Sequence, residues 1–581
     1  MLTYNLPHIF FLLVSRLAIA APISDSNTTV DSQCRFIPGD PAWPSQSDWD
    51  SLNETVNGNL IATIPLAAPC HTTVLGQSNV LFSEDECSKL RDAWFTPQTY
   101  LPSLSPMQYP FTNNSCNPFL EPGTPCEIGY HVVYAINATR AEQVSAAIQF
   151  SRDHNIRFVI RNTGHDYLGK STGAHSLAIL TQWMKYSELI ENYESAKYAG
   201  PAIKLGAGTQ TLEAYTFANS HGLVIVGGNC PTVGFAGGYI QGGGHGPLSS
   251  KYGLATDQVL EFEVVTGTGE VVTANPESHS DLFWALRGGG GSTYGVVLSV
   301  TVKAFPDTYV STAYLTILNN GTNADALYSA LGPFFQTLPV LADAGAIAIW
   351  TAQPTGFFLA PAIAPSLHAS ELDAMLKPAI DALNDLGLEY TYASSEKPTF
   401  LEAFLTSSAI NSTVADYNIG GRLMARSVLE SNLTALVDAV RYISSQAGIG
   451  GNVFNVKNNG VSSPDEVAAN PYFRDAIWTT TLGTPISYTD WAATASGQER
   501  ITSDLVPALA ALTPNGSGAY LNEADVMEPD FKSVFYGGHY ERLLEIKQIY
   551  DPYDIFYAKT AVGSDRWEED VDGRLCLVGS S

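Results

Sequence analysis

Charged side chains are scarce in this chain, and positive ones are the scarcest. Only 15% of its 581 residues are charged, and 29 Lys and Arg stand against 57 Asp and Glu, which leaves a formal charge of −28. Such an acidic surface repels phosphate backbones and anionic lipids. We therefore expect neither a nucleic-acid partner nor a membrane partner. The charge fits a protein that stays soluble in an acidic external medium.

Long apolar runs are also missing, with one short exception at the amino end. Residues 1–20 hold an apolar core and end in the small-x-small pattern Ala18-Ile19-Ala20, although Arg16 interrupts the run. This pattern is typical of a secretory signal peptide and is too short to span a bilayer. Export is also favoured by eight N-x-S/T sequons, at Asn27, Asn53, Asn113, Asn137, Asn320, Asn411, Asn432 and Asn515. We expect a secreted, extracellular glycoprotein that is a monomer.

Common nucleotide-binding and metal-binding patterns are missing as well. Neither G-x-G-x-x-G after the first predicted strand nor G-x-x-x-x-G-K-[ST] occurs. A nicotinamide-binding Rossmann fold and a P-loop are therefore both disfavoured. No second His, Cys or carboxylate stands at convincing ligand spacing from His165 on the same element, so we expect no metal site.

Cysteine occurs in an odd number, at positions 34, 70, 87, 116, 126, 230 and 576. In an oxidising compartment the cysteines are expected to pair, and one of seven must remain over. Cys230 is the natural remainder, because it lies in a glycine-rich segment far from the others, and a free thiol there would be a liability without a covalent partner. The other six allow fifteen connectivities. The arrangement we favour is Cys116–Cys126, Cys70–Cys87 and Cys34–Cys576.

Composition and predicted secondary structure divide the chain into five parts. After the signal at 1–20, an extension at 21–129 is rich in Pro, Ser and Asn; residues 130–306 alternate short strands and helices; residues 307–515 alternate strands with long helical stretches; and 516–581 form a tail. The clearest predicted helices are at 141–154, 211–221, 280–286, 325–338, 371–386 and 540–550.

Glycine, by contrast, is abundant and concentrated in three loops. They span residues 163–173, 227–246 and 287–295, each at the end of a predicted strand or helix. Loops without β-carbons let backbone N–H groups approach a ligand closely and form anion-binding concavities. Three such loops predict one large phosphate-bearing cofactor. Tight turns in a β-rich protein are the alternative.

Four motifs in and beside these loops carry a resemblance to a known family. They are R-N-T-G-H-D at 161–166, C-P-T-V-G at 230–234, Q-G-G-G-H-G at 241–246 and D-L-F-W-A-L-R-G-G-G-G at 281–291. Together with the tail, they resemble the berberine-bridge-enzyme-like branch of the FAD-linked oxidases, in the vanillyl-alcohol-oxidase superfamily. The texture is closest to its secreted fungal, isoamyl-alcohol-oxidase-like members.

The resemblance covers about residues 130–562 and implies FAD as the cofactor and a two-lobed α+β fold. In that fold a PCMH-type FAD-binding domain at 130–306 is completed by a berberine-bridge-like module at 516–581. An antiparallel sheet backed by helices forms the substrate lobe at 307–515.

Two covalent bonds to the flavin are implied by the resemblance. His165 matches the family histidine that is attached to the 8α carbon, and Cys230 matches the cysteine that is attached to C6. Val233 falls where the family controls the access of oxygen to C4a, and a small valine there resembles oxidases. Two alternatives stay open: His165 is a loop histidine satisfied by Asp166 or a non-covalent contact of the flavin, and Cys230 is free or disulfide-bonded.

The same motifs supply the other cofactor-binding candidates, which are Arg161, Asn162, Thr163, Gly164, Asp166, Gly169, Thr232, Val233, Gly234, Gly237, Gly238, Gly243, Gly244 and His245. One position departs from the family pattern. Tyr239 stands where plant members carry histidine, so no role is carried over for that position.

The candidate catalytic base lies in A-Y-L-N-E at 519–523, which resembles the family's Y-x-N-Y strand facing the flavin. Glu523 replaces the second tyrosine, and the resemblance implies that it takes the substrate's hydroxyl proton, with its pKa raised by an apolar cleft. Tyr520 is the next candidate, and an exposed or ion-paired Glu523 is the alternative. On a regular strand Tyr520 and Asn522 share one face while Glu523 points to the other.

The implied function is a secreted oxidase that moves a hydride from an alcohol-type or carbohydrate substrate to covalently bound FAD. Dioxygen then takes the electrons and becomes hydrogen peroxide. The alternative is a biosynthetic flavoenzyme that cyclises or dehydrogenates a secondary metabolite. A third hypothesis, from another class, is a catalytically silent binding protein on an oxidase scaffold. The sequence leaves the substrate open, because we expect its pocket to be lined from 307–515, where the resemblance is thinnest.

Overall fold

A computed structural model describes residues 33–407, 413–414, 416–457, 463–513 and 516–579. The predicted signal peptide at 1–20 and the sequons at Asn27, Asn411 and Asn515 lie outside these ranges. Within them, no helix combines the length and the apolar character that a membrane crossing requires.

The extension packs against the lobe that follows it. Its helices are α1 (Gln46–Thr55), α2 (Glu84–Ala93) and α3 (Pro97–Tyr100), and its strands are β1 (Leu60–Ala62), β2 (Thr73–Val74) and β3 (Gln77–Ser78). Helix α1 starts at Ser45, which forms a reciprocal capping box with Asp48. Trp49 of this helix is buried in the same apolar cluster as Ile148 and Phe158 of the next lobe. The extension therefore shares a core with residues 130–306, which are called the FAD lobe below because the resemblance assigns the FAD-binding domain to them.

Parallel strands open the FAD lobe, as the predicted βαβ-like unit requires. Strands β4 (Tyr134–Asn137) and β5 (Phe158–Arg161) both pair in parallel with β6 (Leu177–Leu180), and β1 adds antiparallel to β4. Helix α4 (Ala141–Asp153) connects β4 to β5 and buries Val144, Ala147 and Ile148. The first glycine-rich loop starts where β5 ends, so the sheet fixes its position.

The second sheet of this lobe has five strands in the order β11-β10-β12-β8-β7. The remaining elements of the lobe are β7 (Ser187–Ser195), β8 (Tyr198–Gly206), α5 (Thr211–Ser220), β9 (Leu223–Val224), α6 (Ser249–Tyr252), β10 (Val259–Val265), β11 (Val271–Ala274), α7 (Ser280–Leu286), β12 (Val296–Lys303) and β13 (Phe305–Pro306). The sequence did not indicate β7, because it is an edge strand without a buried residue and with exposed glutamates at 188, 191 and 194.

The second lobe is built on a seven-stranded sheet in the order β17-β14-β16-β15-β19-β20-β18, and every pairing in it is antiparallel. Its elements are β14 (Val310–Leu318), α8 (Ala324–Asp343), β15 (Ile347–Gln353), β16 (Gly356–Pro365), α9 (Ala369–Asp385), β17 (Thr391–Lys397), α10 (Phe400–Leu405), β18 (Tyr417–Ala425), α11 (Arg426–Ser431), α12 (Leu433–Ser444), β19 (Gly448–Val453), β20 (Ala476–Pro485), α13 (Trp491–Arg500) and α14 (Val506–Ala510). Mixed helix and sheet in two lobes confirms the expected fold class.

Helix α8 is longer than the sequence indicated. It passes both Pro333 and Pro339 and ends at Asp343, five residues beyond the predicted end. The face that includes Phe335 and Leu341 is fully buried against the sheet. This burial offsets the hydrogen bonds that the two prolines cannot donate.

The tail returns to the FAD lobe. It contains α15 (Phe531–Tyr536), α16 (Tyr540–Tyr550), β21 (Trp567–Glu569) and β22 (Leu575–Leu577). Lys547 of α16 is buried, and its Nζ donates to the Asp551 carboxylate at 2.8 Å and to the Thr293 carbonyl in the third glycine-rich loop at 3.2 Å. The tail thus holds the third glycine-rich loop through the hydrogen bond from Lys547.

Three disulfides join these parts: Cys70–Cys87 and Cys116–Cys126 within the extension, and Cys34–Cys576 between the extension and β22. The favoured pairing is confirmed. Cys230 carries the free thiol.

Candidate functional site

The three glycine-rich loops meet at one cavity, although more than 100 residues separate the first from the third in sequence. The segment 520–523 of the tail completes its wall. Of the residues predicted for the site, those that line the cavity are Asn162, Thr163, Gly164, His165, Asp166, Cys230, Val233, Gly234, Gly237, Gly238, His245, Tyr520, Asn522 and Glu523.

Five predicted residues stand behind this wall instead: Arg161, Gly169, Thr232, Gly243 and Gly244. The Arg161 side chain lies directly under Gly164, so that a β-carbon added to the glycine would come within 2.8 Å of Nη2. Gly169 is pressed against the ring of Phe111, which belongs to the extension. Arg161 and Gly169 therefore support the first glycine-rich loop from outside the cavity.

Asn162 joins the first loop to the second. Its amide nitrogen donates to the Thr181 hydroxyl at 2.9 Å and to the Ala207 carbonyl at 2.7 Å. Its Oδ1 accepts from the backbone N–H of Thr163 at 2.9 Å and occupies the space that a β-carbon on Gly234 would need. Glycine at 234 is therefore a packing requirement between the two loops.

His165 is held by a threonine and not by its acidic neighbour. Its Nε2 lies 2.7 Å from the Thr232 hydroxyl, whereas the Asp166 carboxylate accepts the backbone N–H groups of Leu168 and Ser171. Burial, with the positive charge of Arg161 as the second cause, lowers the pKa of His165 to about 4. The imidazole is therefore neutral above that pH, which is the nucleophilic form.

Cys230 shares the same threonine, since its Sγ lies 3.6 Å from the Thr232 hydroxyl oxygen. Two residues 65 positions apart, each from a different loop, thus contact one hydroxyl group. Both of their side chains line the cavity while Thr232 stands outside it.

An unpartnered cation faces the same cavity. Lys170 lines it, and its Nζ is buried without a hydrogen-bond partner among the described residues. Burial lowers the pKa of Lys170 to about 8, against the opposing effect of the Asp166 charge. Because a buried ammonium is costly without a partner, this one fits an anionic ligand group. Lys170 was missed from the sequence; the signal was a lysine inside a glycine-rich loop of the anion-binding kind.

The catalytic candidates sit on a turn, and the strand predicted at 519–523 is wrong. The N–H of Glu523 donates to the carbonyl of Tyr520 at 2.8 Å, which closes a tight turn. The Asn522 amide donates to the Tyr520 hydroxyl at 2.8 Å and to the Gly238 carbonyl at 2.7 Å. A turn removes the alternation of a strand, so Tyr520, Asn522 and Glu523 all reach the cavity.

Glu523 has one oxygen bound and one without a partner. Its Oε1 lies 2.9 Å from Nε2 of His245, and its Oε2 is buried without a hydrogen-bond partner among the described residues. Four tyrosines around Glu523 have a raised pKa, for which burial is the largest cause and the charge of Glu523 a further one. They are Tyr167, Tyr239, Tyr417 and Tyr520. The carboxylate is thus surrounded by hydroxyl groups that keep their protons.

Comparison with known proteins identifies the family. The FAD binding domain family matches residues 133–275, and the family described as berberine and berberine like matches residues 519–563. FAD-linked oxidoreductase sor8 of Hypocrea jecorina is 42% identical over 565 residues, which make up 97% of this chain and 96% of that protein. The chain belongs to the berberine-bridge-enzyme-like FAD-linked oxidoreductases.

Two further proteins are similar to this FAD-linked oxidoreductase along nearly its whole length. Bifunctional decalin synthase calF of Penicillium decumbens is 38% identical over 97% of this chain and 99% of its own length. The crystal structure of the VAO-type flavoprotein MtVAO615 from Myceliophthora thermophila C1 is 36% identical and superposes with a TM-score of 0.89, covering 94% of this chain and 100% of that one.

The cavity of this FAD-linked oxidoreductase fits the cofactor of its family. Its walls carry few side chains where the glycine-rich loops approach, and Lys170, whose Nζ has no hydrogen-bond partner among the residues described, offers a positive charge for a diphosphate. His165 and Cys230 offer two nucleophiles on one wall. Among the described residues, the cavity lining comes from 160–297 and 520–523, so the second lobe adds no side chain to it.

Proposed function

We propose that this FAD-linked oxidoreductase is an exported oxidase that takes a hydride equivalent from an alcohol-type or carbohydrate substrate and passes the electrons to dioxygen. The observation that carries the proposal is Glu523, whose Oε2 lies in the cavity wall, buried and without a hydrogen-bond partner in the part of the chain that the structure describes. A base in this position can accept the hydroxyl proton of a substrate alcohol.

The proton acceptor is kept in place by its neighbours. His245 holds Oε1 of Glu523, which leaves Oε2 for the substrate. Tyr520 is fixed by Asn522 and is a hydrogen-bond donor rather than a base, because burial and the Glu523 charge raise its pKa further above neutrality. When bound, FAD supplies a two-electron acceptor that is reoxidised by dioxygen. The protein's own part is then to position the carbon that gives up the hydride and to remove the proton of the substrate's hydroxyl group, which Glu523 accepts.

We also propose that FAD is attached through both His165 and Cys230. The support is that both side chains line the cavity, that the imidazole is neutral above about pH 4, and that Cys230 is the one cysteine left outside the disulfides. Val233 lines the same wall, and we propose that its small side chain leaves room for dioxygen.

The attachment is tested by acid precipitation of the purified protein. The flavin should stay in the pellet, His165→Ala should weaken its retention, and only the double variant with Cys230→Ala should release all of it. Free flavin in the supernatant of the unmutated protein would contradict both covalent bonds.

The reaction is tested by measuring hydrogen peroxide over a panel of alcohols and oligosaccharides. Peroxide formed in step with a carbonyl product supports the oxidase. A protein that turns over no panel member, and that lacks the yellow colour of bound flavin, would favour the silent binding protein.

The second candidate is a biosynthetic flavoenzyme that cyclises or dehydrogenates a secondary metabolite. The likeness to a relative named as a decalin synthase favours it, since that likeness covers nearly all of both chains. A cyclised or desaturated product from a polyketide-like panel, without a carbonyl product from any alcohol, would decide for this candidate.

Export and the domain boundaries belong to the same proposal. Three disulfides and exposed sequons at Asn113, Asn320 and Asn432 support passage through the secretory pathway. We keep the division into 1–20, 21–129, 130–306, 307–515 and 516–581 as the proposed one. Mass spectrometry of the secreted protein tests both the cleaved segment and the glycans.

A further inference from the structure

An asparagine in the second glycine-rich loop has one polar end without a partner. Asn229 lines the cavity next to Cys230, and its Oδ1 is buried without a hydrogen-bond partner among the residues that the structure describes. Its Nδ2 donates to Oδ1 of Asn452 in the second lobe at 3.2 Å. A buried amide oxygen without a partner is costly, so this position fits a ligand group that forms a hydrogen bond with it.

The orientation of the two amides does not change this conclusion. Turning both amides makes Asn452 the donor and Asn229 the acceptor, and Nδ2 of Asn229 is then the end without a partner. In one orientation that end accepts a hydrogen bond, and in the other it donates one. A hydroxyl group serves either case, because it both donates and accepts.

Asn229 and Glu523 belong to neighbouring parts of the cavity wall. A β-carbon on Gly246 would come within 1.9 Å of the Gly227 carbonyl oxygen, so the two ends of the second glycine-rich loop lie in direct contact. His245, the residue before Gly246, holds Oε1 of Glu523 at 2.9 Å. The loop end that carries Asn229 therefore lies against the loop end that holds the proposed proton acceptor.

The second lobe contacts both loop ends from one strand. Asn452 of β19 contacts Asn229, and the ring centroid of Phe454, two residues later, lies 6.0 Å from that of His245. Side chains two positions apart on an extended chain point to the same side. The end of β19 thus positions Asn229 and His245 relative to each other.

We propose that Asn229 is a specificity-determining residue, whose amide binds a second hydroxyl group of the substrate while Glu523 takes the proton of the first. The inference rests on the proposed oxidase reaction and adds the substrate class to it, which is an alcohol with more than one hydroxyl group. A monohydric alcohol can reach Glu523 but leaves the polar end of Asn229 without a partner. Asn452 is a positioning residue, since it acts through the Asn229 amide.

The test compares monohydric alcohols with their diols. The probes are phenylethanol with phenylethylene glycol, propanol with propylene glycol, and ethanol with ethylene glycol. The purified holoprotein is mixed with each probe under anaerobic conditions, and stopped-flow absorbance gives the second-order rate constant of flavin reduction. In the pairs that reduce the flavin, the diol should have the larger rate constant by about tenfold, the effect of one added hydrogen bond.

Asn229→Leu removes both polar atoms of the amide at nearly the same side-chain size. It should lower the rate constant for each diol about tenfold more than that for its monohydric partner, so that the preference disappears. A role in stability or in holding the flavin would instead lower both members of a pair equally. Asn452→Ala should reduce the preference by less, because the Asn229 amide keeps its own polar atoms.

Asn219→Leu is the matched control. Asn219 is a half-buried asparagine of the same lobe, its Nδ2 donates to the Asp307 carboxylate at 3.0 Å, and it is not among the residues that line the cavity. This variant should keep the diol preference of the unmutated protein.

The inference is overturned, while the oxidase proposal stands, if both members of every pair react equally in the unmutated protein. It is also overturned if the diol preference survives Asn229→Leu, or if that variant lowers both members of a pair by the same factor. If no member of any pair reduces the flavin, the oxidase proposal is wrong, and the inference is wrong with it.

Discussion

The FAD lobe and the second lobe contribute to the site in opposite ways. The FAD lobe, with the tail, gives the cavity its whole described lining from 160–297 and 520–523. The second lobe gives none of the lining side chains, yet its strand β18 carries Tyr417, one of the four tyrosines around Glu523, and it contacts the tail through its backbone. The N–H of Leu423 donates to the Gly518 carbonyl at 2.8 Å, and Gly421 lies directly against the Glu523 carbonyl.

This difference separates residues that perform chemistry from residues that place them. A large cofactor needs close approach of the backbone and reactive groups beside it, and the loops of the FAD lobe are rich in glycine and carry His165 and Cys230. The support of a turn demands only a close fit of backbone to backbone, for which a glycine such as Gly421 suffices. Substitutions in each lobe can test whether the FAD lobe and the tail perform the chemistry while the second lobe only positions the catalytic turn.

Glu523→Gln should give the largest effect. If Glu523 is the proton acceptor, the rate of flavin reduction falls by about 10²–10⁴-fold, because the amide cannot take the proton. Stopped-flow absorbance under anaerobic conditions measures this rate, and the flavin should remain attached. Glu499→Gln, at an exposed position, is the control and should reduce at the normal rate. Tyr520→Phe should have a smaller effect than Glu523→Gln; the reverse order would make Tyr520 the acceptor.

Gly421→Ala tests the second lobe directly. The added methyl group would overlap the Glu523 carbonyl and lie 2.6 Å from the Thr480 carbonyl, so the turn has to move. A displacement on the order of 1 Å lowers turnover by up to about 10²-fold. The matched control is Gly448→Ala in β19 of the same sheet, where a β-carbon meets nothing within 4 Å. Equal turnover in both variants would show that the second lobe does not set the position of Glu523.

Lys170→Met should weaken cofactor affinity in the FAD lobe. In the His165→Ala, Cys230→Ala background, loss of one charged contact to the diphosphate raises the FAD Kd about tenfold. With Lys170 present, its pKa of about 8 leaves the ammonium charged below that pH and neutral above it. Because a bound anion favours the charged form, affinity should hold below about pH 8 and fall above it.

Fluorescence titration of FAD at several pH values measures both effects. Lys185→Met is the control, since Lys185 pairs with Glu213 and does not line the cavity. An affinity that is independent of pH from 7 to 10 would mean that Lys170 does not contact the anion.

Val233→Leu should give the smallest effect, and on one half-reaction only. The larger side chain narrows the cavity beside position 233, so reoxidation of photoreduced protein in air should slow by up to about tenfold. Anaerobic reduction by substrate should stay close to that of the unmutated protein. Unchanged reoxidation would place the access of oxygen elsewhere in the lining.

Local patterns account for what could be predicted. The glycine-rich loops, the helix Ser280–Leu286 and the helix Tyr540–Tyr550 follow from residues adjacent in sequence. Cys230 as the unpaired cysteine followed from its isolation, and the three disulfides of the structure are the arrangement that was favoured among the fifteen that six cysteines allow. By contrast, the edge strand Ser187–Ser195 carries too little apolar alternation to be recognised.

By itself, the sequence predicted a large phosphate-bearing cofactor, because the glycine content of a loop is a property of a few neighbouring residues. The identity of the cofactor as FAD, the two-lobed fold and the candidate reactive residues came with the resemblance of four short motifs to a known family. The tertiary structure alone decided how they meet. The turn at 520–523 lies against Gly421, about 100 positions earlier, and the His165 imidazole lies against the hydroxyl of Thr232, 67 positions later. A backbone contact and a side-chain hydrogen bond join distant parts of the chain, and no local pattern of residues predicts either of them.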